Sequence, residues 1–387
     1  MEDEESSAAA TAEVTTGSDS VVGVPENNPN EKQQENGKGE ASNDMSFYDA
    51  LRAASKDYRR LCKEKELHES SRAMEAAADA RRKYFETHER AQNGQPVTPS
   101  FGPYKKHYRK YLEKHLTQYR NGRFCDIGSA PGGLPAFLCD RLGMTGVAFS
   151  LPEEDGGFRM KFHSTTCHFS DECDMSVPGA WKSQLYDVLK GETFDFINLG
   201  ITLQWRKPVQ KVEDESEMED QSAEEKTAED TRSEQRDHRL AMQEIIKNEL
   251  FFALQSIDDG GSVMVTLPNS DHPNTFLYLH YLINCIASEG NLMVMPTPKL
   301  SRKPVYVLVE NISTSSQGVQ DLVNFLLSTD VTPENDSKWL VESWEEALPA
   351  FEACRTSLEH VWRLQLKQLK KDRNEAENKY GGAPVEN

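Results

Sequence analysis

The chain has 387 residues, of which 37% are hydrophobic, and a formal net charge of −20 at pH 7. No stretch offers the roughly 18 consecutive apolar residues of a membrane-spanning helix, and the acidic start lacks the apolar segment of a secretory signal. The seven cysteines form no C-x-x-C pair, so we expect reduced thiols in a cytoplasmic or nuclear protein that binds no membrane.

Most of the negative charge lies in two stretches of the sequence. Residues 1–45 carry eleven acids against two lysines and almost no large apolar residue, which predicts a disordered acidic tail. Residues 209–237 carry twelve acids against four basic residues, which predicts a disordered acidic insert. The remaining chain is close to neutral, so the low isoelectric point does not exclude a nucleic-acid partner.

Residues 46–92 predict a helical arm of one or two helices, because apolar residues recur there at helical spacing. A linker follows the arm. The pattern of residues 104–119 then predicts a basic helix in which four tyrosines are interspersed with lysines and arginines. Two interpretations remain open for this helix. It could contact RNA phosphates and bases, or its tyrosines could pack on a sheet while its lysines face solvent.

From residue 123 onward, apolar runs alternate with helical patterns. The predicted strands are 124–127, 146–151, 166–169, 194–199, 262–267, 292–295 and 305–310. The predicted helices between them are 134–143, 176–190, 238–258 and 273–288. This alternation predicts an α/β fold with a mostly parallel seven-stranded sheet and helices on both faces. A C-terminal helical extension, 313–380, with helices at 317–329 and 344–380, and a short tail, 381–387, complete the chain.

The first strand leads into a glycine-rich turn from Gly128 to Gly133, and the following helix carries Pro135 in its first turn, where proline is tolerated. Glycines let a ligand approach the backbone, and free N–H groups at a helix start can bind it. Asp126, at the strand end, could hold a hydroxyl or amino group. The turn therefore predicts a site for a nucleotide-like ligand. The alternative is a tight turn between strand and helix without a ligand.

The run Asp126-Ile-Gly-Ser-Ala-Pro-Gly-Gly133 resembles motif I of the FtsJ-like (RrmJ-type) ribose 2′-O-methyltransferases. The resemblance implies a Rossmann-like methyltransferase domain over 102–312, with S-adenosylmethionine as cofactor and RNA as substrate. The cofactor-binding residues that it implies are Asp126, Gly128, Ser129, Ala130, Pro131, Gly132 and Gly133, with Glu153 after the second strand and Asp174 or Asp171 after the third.

The same family uses a Lys-Asp-Lys-Glu tetrad to methylate ribose. Lys105 or Lys106 could supply the first lysine as a catalytic residue. An ungapped comparison places Gly200, Thr266 and Pro304 at the other three positions, and none of these can carry the charge. The resemblance therefore predicts an intact cofactor site beside a degraded tetrad. Three functions stay open: an FtsJ-like methyltransferase with altered catalytic residues or another acceptor, an inactive RNA- or protein-binding module, and an unrelated nucleotide-dependent α/β enzyme. No metal site is predicted, and protein partners are not indicated.

Overall fold

Seven strands of the computed structural model follow the apolar runs of the sequence. They are β1 (Arg123–Ile127), β2 (Thr145–Phe149), β3 (Cys167–Ser170), β4 (Phe194–Leu199), β5 (Ile257–Leu267), β6 (Ile286–Pro296) and β7 (Val305–Ile312). They form one sheet in the order β3-β2-β1-β4-β5-β7-β6. The first five strands pair in parallel, and β7 runs antiparallel to both β5 and β6. The predicted α/β fold, with a mostly parallel seven-stranded sheet, is confirmed.

The structure describes residues 45–91, 101–153, 157–171, 173–175, 177, 185, 189, 191–201, 228–298, 300 and 304–381. Four predicted segments lie wholly or largely outside these residues. They are the acidic tail 1–45 except Met45, most of the helix 176–190, the insert up to residue 227, and the C-terminal tail after Gly381.

The described helices are α1 (Phe47–Ala54), α2 (Lys56–Glu69), α3 (Arg72–Ala91), α4 (Gly102–Leu116), α5 (Gly133–Leu142), α6 (Ala228–Ser256), α7 (Pro273–Asn284), α8 (Gln317–Ser328) and α9 (Trp344–Tyr380). Short 3₁₀ turns follow α4 and precede α9. Within this described part of the chain, no helix is long and apolar enough to cross a membrane.

Two sequence predictions about helices are wrong. The arm contains three helices. Ser55 adopts an extended conformation that ends α1, while its hydroxyl accepts the Tyr58 N–H and caps α2, and α2 ends in turn at its C-cap Ser70. The helix α6 begins at Ala228, inside the predicted insert 209–237. The acidic composition that predicted disorder there also has a high helix propensity, and the helix continues into an apolar run that packs on the sheet.

Each face of the sheet is covered by its own group of helices. On one face, α4 and α5 enclose a cluster that includes Phe124, Phe196 and Met264; we call it the α4–α5 cluster. The other face joins a larger cluster built mainly with α6, α7 and α9. Side chains alternate between the faces along a strand, so both faces of the central strands are buried.

The first and last parts of the described chain meet where α2 packs against α9. Arg373 binds Glu64 at 2.8 Å and Arg363 binds Asp57 at 3.0 Å. We call these four residues the α2–α9 seam. Glu64 is almost completely buried, with its side chain 5% exposed, and its carboxylate is paired.

The loop that follows β5 is bound by both of these helices. Lys65 of α2 pairs with the buried Asp271 at 2.9 Å. The indole N–H of Trp362 on α9 donates to the Ser270 hydroxyl at 3.1 Å. The terminal helices therefore fix the loop at the carboxyl end of β5.

Strand β6 forms one edge of the sheet, and α9 packs against it. The Val294 N–H of β6 donates to the Ser357 hydroxyl of α9 at 3.2 Å. A backbone donor at the sheet edge is thereby satisfied by a side chain of the last helix.

Candidate functional site

Strands β1, β4, β5 and β7 place polar side chains in a row on the sheet face that α4 and α5 cover. This polar row consists of Asp126, Asn198, Thr266 and Tyr306, all buried. The first three each follow, by two positions, a residue of the α4–α5 cluster on the same strand, and so share its face. Tyr306 lies opposite Thr266 in the β5–β7 register. The row lies at the edge where open α/β sheets bind ligands.

Asp126 and Asn198 form the centre of the polar row and are neighbours across β1 and β4. The Asn198 amide Nδ2 donates to Asp126 Oδ1 at 2.6 Å. Asp126 Oδ2 and Asn198 Oδ1 are buried and have no hydrogen-bond partner in the described part of the molecule. Burial raises the pKa of the Asp126 carboxyl to about 7, and the Asn198 hydrogen bond opposes this shift. Unpartnered buried polar atoms are uncommon in folded proteins, so this pair marks a candidate ligand position.

The glycine turn begins at Gly128, which adopts a left-handed conformation with φ of 75°. A Cβ atom at this position would lie 2.7 Å from both the Gly200 carbonyl carbon and the Ile201 nitrogen. Glycine is therefore needed for the close approach of the turn to the end of β4. The turn and the end of β4 form one continuous backbone surface beside Asp126.

The last two glycines of the turn are required by close packing against residues that are distant in sequence. Gly132 has φ of 100°, and a Cβ there would lie 2.6 Å from Met160 Sδ and from Phe162 Cβ. A Cβ on Gly133 would collide with Tyr104 at the start of α4. These contacts are made within the chain itself. The two glycines therefore cannot, by themselves, indicate a ligand.

Three backbone amides of the turn are also engaged within the chain. The N–H groups of Gly128 and Ser129 both donate to the Phe149 carbonyl at 2.9 Å, and the Gly132 N–H donates to the Ser129 carbonyl at 2.8 Å. These three amides are therefore not available to a ligand. By contrast, the Ser129 hydroxyl is buried and has no partner among the described residues. The available polar groups of the site are thus mainly side chains.

Glu249 of α6 is a site residue that sequence reasoning missed. Its Oε1 accepts the Ile201 N–H at 3.0 Å, and its Oε2 is buried without a partner in the part of the chain that the structure describes. Burial raises the pKa of the Glu249 carboxyl well above its usual range, the Ile201 hydrogen bond opposes the shift, and the charge of Asp126 adds to it. One sequence signal could have found it: Asn248 and Glu249 interrupt the apolar run from Ile245 to Phe252.

The other end of the polar row is neutral and internally bonded. The Tyr306 hydroxyl lies 2.9 Å from the hydroxyl of Tyr108 on α4, and both side chains are buried. Thr266 Oγ1 is buried without a partner among the described residues. Burial raises the pKa of both tyrosines. Neither phenol is therefore a base near neutral pH.

Among the described residues, neither predicted catalytic lysine forms an ion pair or a hydrogen bond with the polar row. The Lys105 ammonium forms an ion pair with Asp140 on α5. Lys106 is exposed on the next position of α4. The residue of α4 that does reach the sheet is Tyr108.

The remaining predicted residues have varied surroundings. Glu153 and Asp171 are exposed, and Asp174 is half-buried. Gly200 lies directly beyond β4, where its N–H donates to the Ile127 carbonyl at 2.8 Å. Pro304 precedes β7, and Tyr306, two residues later, is the residue that joins the polar row.

The predicted basic helix corresponds to α4 and separates its two residue types. Lys106, Arg109, Lys110 and Lys114 are exposed. Tyr108 is buried in the α4–α5 cluster, and the hydroxyl of Tyr119, just beyond α4, donates to the Gly260 carbonyl at 2.8 Å. The tyrosines therefore pack on the sheet, while the cations form an exposed basic face.

Five of the seven cysteines are buried, and Cys139 and Cys167 are half-buried; all are free thiols. Within the described ranges, no group of three or more His, Cys, Asp or Glu side chains is arranged to hold a metal ion.

No protein-family model and no curated protein matches the chain. Solved structures with a similar fold include a candidate ribosomal RNA methyltransferase from Plasmodium falciparum, with 14% identity and a TM-score of 0.35 over 53% of this chain and 97% of that one. An rRNA methylase from Streptococcus thermophilus has 15% identity and a TM-score of 0.28, over 52% and 94%. A candidate methyltransferase from Streptococcus mutans, in complex with SAH (S-adenosylhomocysteine), has 13% identity and a TM-score of 0.29, over 52% and 97%. With identities below 25% and TM-scores below 0.5, none transfers a function to this chain.

Proposed function

We propose that the protein is an S-adenosylmethionine-dependent methyltransferase of FtsJ-like type that acts on RNA. The observation that carries the proposal is the set of buried, unpartnered polar atoms on Asp126, Ser129 and Asn198, beside the glycine turn at the carboxyl edge of the sheet. Desolvated polar groups without partners are unfavourable, and a polar ligand would satisfy them. The resemblance of residues 126–133 to motif I supports S-adenosylmethionine as the cofactor.

The residues present fit the amino-acid part of this cofactor. The Asp126 carboxylate offers a free oxygen to an ammonium group, and Asn198 Oδ1 offers an acceptor beside it. Gly128 keeps the turn close to the end of β4, so both acceptors stay in place. S-adenosylmethionine, when bound, supplies an electrophilic methyl group.

Binding of the cofactor is the direct test. We expect micromolar affinity for S-adenosylmethionine by calorimetry, equivalent to about −8 kcal/mol. The variant Asp126→Asn should lose at least about tenfold in affinity because an amide cannot balance a cation. Asp140→Asn, an exposed acid at the far end of α5, is the matched control. Absence of heat and of a thermal shift with the wild type would overturn the cofactor proposal.

The RNA part of the proposal is supported by the exposed cations of α4. Lys106, Arg109 and Lys110 project from a helix that covers the candidate site, so bound phosphates would lie near it. Each phosphate contact to single-stranded RNA contributes about 0.7 to the slope of log affinity against log salt.

Replacing those three cations with Ala should reduce the magnitude of this salt slope by about 2. The control removes the same charge from α9 through Lys367, Lys370 and Lys371, all exposed. Fluorescence anisotropy with labelled RNA at several salt concentrations measures both slopes. Equal slopes for the two triple variants would show that RNA binds at another surface or does not bind at all.

The acceptor chemistry differs from that of the resembled family. A ribose hydroxyl needs a base or a cation to assist its deprotonation. Here Lys105 is paired with Asp140, and the polar row contributes Thr266 and Tyr306. We therefore propose an acceptor that needs little deprotonation, such as a nitrogen atom of a base.

A second function, binding without catalysis, is favoured by the mutual hydrogen bond of Tyr108 and Tyr306. This bond occupies the Tyr306 end of the polar row, so that no hydroxyl of the pair is left to bind a methyl acceptor. Incubation with radiolabelled S-adenosylmethionine and total RNA, followed by nucleoside analysis, separates the two functions. Labelled base supports the first. Cofactor binding without transfer supports the second. Abundant 2′-O-methyl nucleoside would overturn the assignment of the acceptor.

A further inference from the structure

Asp126 and Glu249 are two buried carboxyl groups at the same edge of the sheet. They are 1% and 0% exposed, and each has one oxygen without a hydrogen-bond partner among the described residues. The Asp126 charge acts on Glu249, and no lysine, arginine or histidine of the described part of the chain contributes to the pKa of either group. Two neighbouring buried acids without a cation repel each other when ionised.

Glu249 is connected to the glycine turn by a short chain of contacts. Its Oε1 accepts the Ile201 N–H at 3.0 Å. That Ile201 nitrogen lies 2.7 Å from the position that a Gly128 Cβ would occupy. The carboxyl group of α6 is thus held behind the first glycine of the turn, two residues from Asp126.

Two neutral polar side chains, one bonded to Asp126 and one in the glycine turn, also have free polar atoms. Asn198 and Ser129 are 4% and 7% exposed, and Asn198 Oδ1 and Ser129 Oγ have no partner among the described residues. Asn198 Nδ2 is already engaged by Asp126, so the amide presents its oxygen to the site. With the two carboxyls ionised, the free groups of the site are mostly acceptors, which suits a ligand that donates hydrogen bonds or carries positive charge.

We propose that Glu249 recognises the sulfonium charge of the bound cofactor, while Asp126 binds the ammonium group, and that Glu249 thereby makes the site prefer the cationic sulfonium of S-adenosylmethionine to the neutral thioether of S-adenosylhomocysteine. This inference rests on the proposed function and adds a binding residue outside motif I. A site with this preference releases its product readily, because the thioether that remains after methyl transfer has lost the sulfonium charge.

The protonation of the two carboxyls is linked to this preference. Without a cation, burial raises the pKa of Glu249 and favours its protonated form, and a bound cation favours its ionised form. The titratable groups that face the two acids are Cys125, Cys167 and Cys173, and Tyr108 and Tyr306. The pKa of each is raised, by contact with Cys139 for Cys167 and by burial for the others, so all stay neutral at pH 7.

The test compares the affinities of three ligands by calorimetry on the full chain: S-adenosylmethionine, S-adenosylhomocysteine, and an analogue with a primary amine in place of the sulfonium. We expect the two cationic ligands to bind at least about tenfold more tightly than the thioether. Titrations in two buffers of different ionisation enthalpy should show more proton release with the cationic ligands than with the thioether, which has only the ammonium group that all three ligands share.

The variant Glu249→Gln should reduce the preference to about threefold or less. A glutamine can still accept the Ile201 N–H, so the turn should persist, and an unchanged melting temperature checks this. Glu244→Gln is the matched control, since Glu244 lies on the same helix and its pKa responds to Lys247 and not to Asp126. It should keep the full preference.

Each result is decisive. Equal affinities for the cationic and neutral ligands, or an unchanged preference in Glu249→Gln, would overturn the role of Glu249 and leave the proposed function standing. Failure of all three ligands to bind the wild type would instead overturn the proposed function.

Discussion

Two regions of the molecule bury acidic side chains, one with an ion-pair partner and one without. In the α2–α9 seam, Glu64 is paired with Arg373 at 2.8 Å. In the polar row, Asp126 keeps one oxygen without a partner among the described residues, and burial raises its pKa to about 7. A paired acid stabilises contacts between helices. An unpaired one destabilises the fold unless it is protonated or bound by a ligand, so its presence points to a functional constraint.

The largest expected effect comes from Asp126→Asn and depends on pH. The folded pKa of Asp126, about 7, lies above its ordinary value of 3.8. The folded state therefore holds this proton more tightly, and the wild type loses stability as the pH rises from 4 to 7. The difference of about three pKa units corresponds to about 4 kcal/mol in total.

Urea unfolding of both proteins between pH 4.5 and pH 8 measures this difference. The variant should match the wild type at the acid end and exceed its free energy of unfolding at pH 8. If the two curves run parallel across this range, Asp126 is ionised throughout and the contrast between the two regions disappears.

The seam should respond in the opposite direction. Arg373→Met leaves the Glu64 carboxylate buried without its partner and should lower the free energy of unfolding by about 3 kcal/mol. Lys371→Met, whose partner Glu375 is exposed, is the control and should change stability by less than about 0.5 kcal/mol. Adding Glu64→Leu to the Arg373 variant should restore most of the loss, and a further loss would contradict the pairing argument.

The tyrosine pair provides a smaller, neutral comparison within the site. Tyr108→Phe leaves the Tyr306 hydroxyl buried and unpartnered and should destabilise the protein by about 1 kcal/mol. The double variant Tyr108→Phe with Tyr306→Phe should recover part of this loss because no polar group is left unpaired. A double variant whose loss equals the sum of the single losses would show that the two hydroxyls are not coupled.

The smallest effect is expected for Lys105→Met. The pair of Lys105 with Asp140 is partly exposed, with 34% and 51% of the side chains accessible, so its loss should change stability by about 0.5 kcal/mol or less. Cofactor affinity should be unchanged. A tenfold fall in cofactor affinity would show that Lys105 contributes to the cofactor site.

The sequence predicted the sheet well where strands are continuous apolar runs. Phe194–Leu199 matches β4 at both ends. The sequence prediction started β5 at residue 262 and missed its true start at Ile257, because Asp258, Asp259 and Gly260 resemble a turn. The division between α1 and α2 depends on Ser55, which ends one helix and caps the next, and the helical spacing of the apolar residues does not show this.

The site was predicted only where its residues are close in sequence. Asp126 and the glycine turn follow directly from one motif. Glu249 contacts Ile201 across the insert, so no local pattern connects them. Conversely, Gly132 and Gly133 were assigned to ligand approach, although their tight contacts are with Met160, Phe162 and Tyr104. Distances along the chain do not reveal which neighbour requires a glycine.

The cover that α9 provides over β6 has a consequence for the order in which the chain can fold. Strand β6 is synthesised before the helix that carries Ser357, so its Val294 N–H has no such acceptor while the last segment is still emerging. An uncovered sheet edge can pair with strands of other chains. The seam closes at the same late stage, since Asp57 and Arg363, which share a 3.0 Å hydrogen bond, are 306 residues apart. Truncation within α9 would therefore release both ends of the protein together and favour aggregation during synthesis.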